Sequence, residues 1–400
     1  MDDMELRKTH PQKYYLKFIC NSLYVLGYGS CWYEETPRTN FHKIFYKIWS
    51  GIANFFIVII VINEIMANFR PNLTAKEQND LVQFTFGHSL IVAKIVTMYY
   101  QRDRIKAVLK KLLEDNRTIF ISADIDKSSV KKVKVYCIVL VSTVYLTIVS
   151  AYIDGFRAHF NEGIPIRGEI TYYPTPLDSG ILVNILRFIV EFHWLYIVTV
   201  MNLIDCMSYC TLIFLSSQFK LTQTYYNLLR KKYTKNSNKK TCNVLGEEYK
   251  KDFLIGIRLH ENALWCAHHV QASLGYIYSS QICQSIILIV MCLVKFVTSA
   301  RNMTVLLANM TYLSAMTVMT GAYMTAGGDI TYEASLVSTT MFHSGWDLVV
   351  FDKELRTLAV VAIQRSQAPV YMTAFGVIIL SYNNLIMVLR SSYSFFAVMY

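Results

Sequence analysis

Residues 45–66 read FYKIWSGIANFFIVIIVINEIM, an apolar run whose only charged residues are Lys47 and Glu64. A helix needs about twenty such residues to cross a bilayer. Six more runs of this kind lie at 79–99, 135–153, 181–215, 274–299, 303–326 and 369–398. The run at 181–215 is too long for one crossing, so we expect it to continue as a helix beyond the membrane. The sequence therefore predicts seven membrane-spanning helices.

The composition agrees with a membrane protein. The chain is 54% hydrophobic and 17% charged, whereas a soluble domain carries about 25% charged residues. The alternating strands of about ten residues that build a membrane β-barrel are not apparent in the sequence. We therefore expect an all-α, seven-transmembrane fold.

The basic residues predict how the chain is oriented. The segments 1–44, 100–134, 216–273 and 327–368 contain 29 Lys and Arg residues, and the alternate set contains five. Because cytoplasmic loops collect Lys and Arg, we expect a cytosolic N-terminus and an extracellular C-terminus. The net charge of +11 then faces anionic inner-leaflet lipid, and it does not require a nucleic-acid partner.

The spans and the segments between them predict an organisation in six parts. The apolar stretch from Tyr14 to Tyr28 is too short to span, so we expect an amphipathic helix on the inner membrane surface. Helical extensions of the spans on the cytosolic side should build an anchor platform between subunits. The parts are 1–44 (cytosolic N-terminus with the surface helix), 45–215 (spans one to four, with an irregular outer lid loop at 154–180), 216–273 (cytosolic extension and insertion), 274–326 (spans five and six), 327–368 (cytosolic anchor helix) and 369–400 (last span).

No common motif of a catalytic or metal-binding site is apparent in the sequence. The sequence has no nucleotide-binding loop, zinc-protease motif or nucleophile elbow, and the histidines and cysteine at 260–269 match no common metal-ligand spacing. We expect no enzyme activity, cofactor or metal. Asp205 is the deepest acid in a predicted span. An acid at this depth either has a functional role or makes a structural hydrogen bond to a neighbouring helix. The sequon at Asn72 lies in the first predicted outer loop and predicts glycosylation.

The C-terminal third carries a recognisable pattern. Trp346 is followed by Leu-Arg-Thr-Leu at 355–358, Ala-Pro at 368–369 and Ser-Ser-Tyr-Ser-Phe-Phe at 391–396. This pattern resembles the C-terminal signature of insect odorant receptors. The chain length, the seven spans and the bulky second outer loop are also similar to that family.

The resemblance implies a function and partners. Members of the family are ligand-gated cation channels in the plasma membrane of sensory dendrites, where a ligand-specific subunit assembles with a shared co-receptor, usually as a tetramer. The co-receptor is longer than this chain, so the resemblance implies a ligand-specific subunit that binds a small volatile molecule. A gustatory-type channel subunit is the nearest alternative. A G-protein-coupled receptor would need an extracellular N-terminus.

Two sets of site residues follow. Small polar residues that end in large apolar ones suit a pore closed by a hydrophobic constriction, although the same residues could bond to neighbouring helices. The predicted pore and gate residues on the last span are Asn384, Val388, Ser391, Phe395, Phe396 and Val398. By the resemblance, the ligand pocket lies in the outer halves of spans two, three, four and six, and its predicted residues are Phe84, Phe86, His88, Tyr145, Ile148, Tyr152, Phe188, Phe192, Tyr196, Met310, Tyr312 and Leu313.

Overall fold

Helices make up almost the whole chain in the computed structural model, which describes residues 7, 9–28, 39–71, 73–163, 169–236, 242–298, 303–349 and 353–399. Six of the described helices, α2, α3, α6, α7, α8 and α9, are long and apolar enough to cross a membrane. Each contains the described residues of one of the first six predicted runs, so those helices are confirmed. The helices are α1 (Pro11–Val25), α2 (Asn40–Ala67), α3 (Ala75–Tyr100), α4 (Arg102–Lys110), α5 (Asn116–Ile119), α6 (Ala123–Glu162), α7 (Ile181–Asn236), α8 (Cys242–Thr298), α9 (Met303–Phe342), α10 (Lys353–Ser366) and α11 (Tyr382–Met399).

The bundle has two ends, which we name by the segments found there. The lid end is the end of the bundle at which α2, α6 and α8 finish, and it includes residues 169–180. The anchor end carries α4, α5, α10 and the extensions of α6, α7, α8 and α9. By the distribution of basic residues, the lid end is the predicted outer end.

At the lid end, helix caps determine where α3 begins and where α6 ends. Thr74 begins α3 with a capping box, in which its hydroxyl accepts from the amide of Glu77 at 3.2 Å and its amide donates to the Glu77 carboxylate at 2.8 Å. The predicted lid loop is shorter than 154–180, because α6 continues to Glu162. Gly163 then ends the helix in the left-handed conformation, with φ of 67°, which glycine adopts without steric cost.

The position of α1 on the inner membrane surface stays a prediction, but one apolar face of the helix is covered by protein. That face packs against α6 and α7, and Leu16 and Leu23 are fully buried. Gln12 is also buried, and its Nε2 donates to the hydroxyl oxygens of Ser129 at 2.6 Å and Ser217 at 3.3 Å. An amphipathic helix can bury its apolar stripe in lipid or in protein, and here the two long helices provide the partner.

The predicted last span begins too early. Residues 369–381 are not helical; they contain a hairpin of β1 (Thr373–Ala374) and antiparallel β2 (Ile378–Ile379). The turn places Phe375 and Gly376 at positive φ, a conformation that a right-handed α-helix does not contain. Gln271 of α8 fixes the hairpin by bonding both the amide and the carbonyl of Thr373. The segment is apolar, so hydropathy alone cannot separate it from α11.

The predicted anchor helix at 327–368 is divided. Its first part is the end of α9, a short 3₁₀ turn spans Trp346–Val349, and α10 covers Lys353–Ser366. Gly327 lies where α9 meets the end of the hairpin, and a Cβ there would clash with Leu380. Gly327 therefore allows close packing of the hairpin on α9, and Gly328 allows the ring of Tyr382 to pack there.

Candidate functional site

A cavity of about 460 Å³ lies among α3, α6, α7, α8 and α9 near the lid end. This volume is within the range of small-molecule pockets. Each of the five helices contributes side chains, and residues after α6 close the top. The cavity is therefore built from elements that are far apart in the sequence.

Aromatic rings form much of the wall. The Trp194 ring packs against Tyr152, with 5.3 Å between ring centroids, and against Phe84, with 6.3 Å. Tyr312 and Ile148 line the wall from α9 and α6. Rings of this kind provide large, rigid contact area for an apolar ligand.

A few polar groups interrupt this wall. Gln83 of α3 and Gln284 of α8 line the cavity and are 7% and 3% exposed. Within the described part of the chain, the Gln83 Nε2 and the Gln284 Oε1 have no hydrogen-bond partner. Buried polar atoms without partners are rare and costly. A ligand with an acceptor and a donor would satisfy them.

The lid end of the cavity is polar. Lys295 of α8 bonds Asp80 of α3, and Thr304 of α9 donates to the Asp154 carboxylate of α6 at 2.7 Å. Ile170 covers this rim from the segment after α6. These contacts join four helices above the apolar part of the cavity.

Five of the predicted ligand residues line the cavity: Phe84, His88, Ile148, Tyr152 and Tyr312. Ligand binding by these five stays a prediction.

The other seven lie elsewhere. Phe86, Phe188, Phe192 and Met310 are about half or more exposed. The hydroxyl of Tyr145 bonds Thr199, that of Tyr196 donates to the carbonyl of Leu26, and Leu313 packs in the wider core.

Trp194 and the two glutamines were missed by the sequence analysis. On α7 both faces are apolar, so the sequence did not indicate that Trp194 faces inward while Phe192 faces outward. The signal for the glutamines was their amide groups within apolar runs, since a polar side chain in a span faces protein or a cavity.

A cluster of buried acids and histidines lies beside the cavity. The Nδ1 of His88 is 2.8 Å from Glu64 of α2 and 3.9 Å from Glu169, and Glu169 is 3.5 Å from the Nδ1 of His193. Burial, with the nearby carboxylates of Glu64 and Glu191, raises the pKa of Glu169 well above its usual range. Glu64 is fully buried.

A second polar cluster lies deeper in the bundle, where Asp205 has two partners. Lys94 of α3 is 2.9 Å from its carboxylate, and the hydroxyl of Tyr323 of α9 donates to it at 2.7 Å. Lys94 also donates to Gln281 of α8. The acid singled out in the sequence is therefore the centre of a network that joins four helices.

The predicted pore residues on α11 have different environments. Val388 is 7% exposed and packs in the core of its own chain. The Asn384 side chain donates to the carbonyl of Ile379 at 2.7 Å, whereas Ser391 is exposed. The side chains of Phe395, Phe396 and Val398 lie outside the described residues, as does Asn72.

Comparisons with known proteins agree with this architecture. Residues 74–393 match the family described as 7tm Odorant receptor. The chain is also similar to the insect olfactory receptor OR5 from Machilis hrabei in complex with eugenol, with a TM-score of 0.77, 13% identity, and coverage of 100% of this chain and 99% of that one. A second structure of the same receptor gives a TM-score of 0.76 with the same identity and coverage. A search of curated proteins finds no match. The all-α, seven-transmembrane prediction is thus confirmed, and the chain belongs to the 7tm odorant receptor family.

Proposed function

We propose that this chain is the ligand-binding subunit of an odorant-gated, non-selective cation channel. The observation that carries the proposal is the cavity of about 460 Å³ between the five long helices. Membership of the odorant receptor family supports a ligand of odorant size and volatility.

The ligand is a small, mostly apolar molecule with a polar group. The aromatic wall favours apolar contact, and one or two hydrogen bonds fix orientation in such pockets. The free Nε2 of Gln83 selects a carbonyl or ether oxygen, and the free Oε1 of Gln284 selects a hydroxyl. A pure hydrocarbon would leave both amides buried and unsatisfied, at a cost of about 1–3 kcal/mol for each.

The pore is lined by the last helix, α11. Asn383, Met387, Ser391 and Ser394 recur at helical spacing on its exposed side. This mixed polar and apolar stripe replaces the predicted face that included Val388. Gating by Phe395 or Phe396 stays part of the proposal, as a hydrophobic constriction near the end of the helix.

The channel assembles in the plasma membrane with a shared co-receptor, as a heterotetramer. The N-terminus is cytosolic, which the 29-to-five split of basic residues supports. The anchor end then faces the cytosol, where α10 and the helix extensions form the platform between subunits. Residues 169–180 face outward above the cavity.

Whole-cell recording from cells that express this chain with the co-receptor tests the proposal. A volatile panel should contain size-matched sets of hydrocarbons, ethers, ketones and alcohols. We expect cation currents, with the highest sensitivity to the oxygenated compounds. The variant Gln284→Leu should lose the preference for alcohols, and Gln83→Leu the preference for carbonyl and ether oxygens. If both variants reach the surface with an unchanged selectivity profile, the ligand does not contact these amides.

A further inference from the structure

Four buried side chains meet at the edge of the cavity, each from a different element. Glu64 belongs to α2, His88 to α3, Glu169 to the segment between α6 and α7, and His193 to α7. Their exposures are 0%, 4%, 2% and 0%. Burial of four ionisable groups is expensive unless they are paired or bind an ion.

Hydrogen bonds within the described chain do not satisfy this cluster. His88 uses Nδ1 to contact Glu64 at 2.8 and 3.0 Å. Both carboxylate oxygens of Glu169 and both ring nitrogens of His193 have no hydrogen-bond partner among the described residues. The 3.5 Å contact between Glu169 and His193 therefore brings an acid and a histidine together without a hydrogen bond. Among the described residues, histidines are the only ion-pair partners of Glu64 and Glu169.

Three of these four side chains have ligand atoms at the spacing of a metal site. Glu64, His88 and Glu169 each offer one ligand atom, and these atoms lie within 4.8 Å of one another. Atoms bound to one tetrahedral zinc ion, with bonds of about 2.1 Å, lie roughly 3.5 Å apart. The 2.8 Å and 3.9 Å contacts of His88 fall on either side of that value. Small side-chain rotations would bring them to it.

The donor types narrow the class of ion. Ca²⁺ and Mg²⁺ prefer all-oxygen ligand sets. Imidazole nitrogen combined with carboxylate oxygen favours first-row divalent transition metals, of which Zn²⁺ is redox-inert. His193 lies 3.5 Å from Glu169, where it would orient that carboxylate.

We propose that Glu64, His88 and Glu169, with His193, form a buried binding site for a divalent transition-metal ion of the zinc class. Such an ion would join the segment at Glu169 to α2, α3 and α7. Ile170, the next residue, and His88 both line the cavity, so the ion would fix the lid above the ligand. The proposal does not depend on the channel function.

Zinc binding to the purified full chain in detergent tests this site. The protein is treated with a chelator, desalted, and titrated with Zn²⁺, and bound metal is measured. We expect one tightly bound ion per chain in the wild type. Loss of a ligand in Glu169→Gln or His88→Gln should weaken binding at least tenfold. The matched control is His268→Ala, because His268 is an exposed histidine on α8 and its loss should change nothing.

A spectroscopic readout on the wild type avoids dependence on variants that fail to fold. Co²⁺ bound by imidazole and carboxylates in a four-coordinate site gives an intense visible absorption, which Zn²⁺ should then displace. Weak absorption typical of hydrated Co²⁺ would overturn the proposal. So would wild-type zinc binding equal to that of a folded Glu169→Gln variant, since the cluster would then be held by protons alone.

Discussion

The ammonium group of Lys94 lies 2.9 Å from the carboxylate of Asp205, and both side chains are fully buried in the bundle. Lys94 belongs to α3 and Asp205 to α7. The hydroxyl of Tyr323 and the amide of Gln281 complete the surroundings of the pair. A buried ion pair is tolerated when its remaining hydrogen-bonding capacity is met, and this network meets it.

Removal of one partner should destabilise the protein strongly. Lys94→Met leaves the Asp205 carboxylate buried without its counter-charge, which costs roughly 3–5 kcal/mol. We therefore expect a much lower melting temperature in detergent than for the wild type. The double variant Lys94→Met with Asp205→Asn removes both charges and should recover most of the loss. If the double variant is as unstable as the single one, the charges are not the source of the stability.

The sequence predicted the helices far better than it predicted which faces of them meet. Runs of apolar residues determine where a helix can cross, so residues 45–66 and the described residues of the five runs after them are helical in the structure. Asp205 was recognised as a deep acid, but its partner Lys94 was not. A lysine near the end of a predicted span is usually assumed to reach the membrane surface, whereas this one turns inward.

Substitutions of two aromatic residues should show whether the ligand binds in the cavity or at the outer surface of the bundle. Tyr152 lines the cavity, whereas Phe192 of the neighbouring helix is 56% exposed. Loss of the Tyr152 ring removes contact worth about 2 kcal/mol, so Tyr152→Ala should raise the half-effective ligand concentration at least tenfold. Phe192→Ala should leave it unchanged.

Concentration–response curves at matched surface expression provide the measurement. A further variant, Tyr152→Phe, keeps the ring but loses the hydroxyl, which donates to Glu191 at 3.0 Å. It separates the contribution of the ring from that of this hydrogen bond. If Phe192→Ala raises the half-effective concentration and Tyr152→Ala leaves it unchanged, the ligand binds outside this cavity.

The structure explains why seven of the twelve predicted ligand residues miss the cavity. In a membrane-spanning helix, the side facing lipid is as apolar as the side facing protein. Phe188, Phe192 and Met310 therefore looked as suitable as Phe84 or Tyr312. The polar residues Gln83 and Gln284 would have been better guides, because an amide in a span does not face lipid without cost.

Cysteine accessibility should identify the side of α11 that faces the pore. Ser391 is exposed and Val388 is buried in its own chain. In the presence of ligand, a charged thiol reagent should reduce the current through Ser391→Cys and leave that through Val388→Cys unchanged. The wild type controls for native cysteines. Modification of Val388→Cys alone would show that the helix turns its other side to the pore.

The orientation of the chain should be visible in intact cells. A tag placed before Met1 should be inaccessible to antibody until the membrane is permeabilised, and a tag placed after Tyr400 should be accessible at once. The expectation follows from the 29-to-five distribution of basic residues. Immediate labelling of the tag before Met1 would contradict the proposed orientation.

Filling the cavity is the most direct test of the claim that a ligand bound there opens the channel. Ala308 of α9 lines the cavity, and its neighbour Leu307 is 50% exposed. Whole-cell currents should be recorded for Ala308→Trp and for the matched variant Leu307→Trp, each with the co-receptor and at equal surface expression. We predict that Ala308→Trp loses the response to ligands that activate the wild type, because the indole occupies their space, while Leu307→Trp responds normally. A normal response from Ala308→Trp would contradict the account and place the ligand elsewhere.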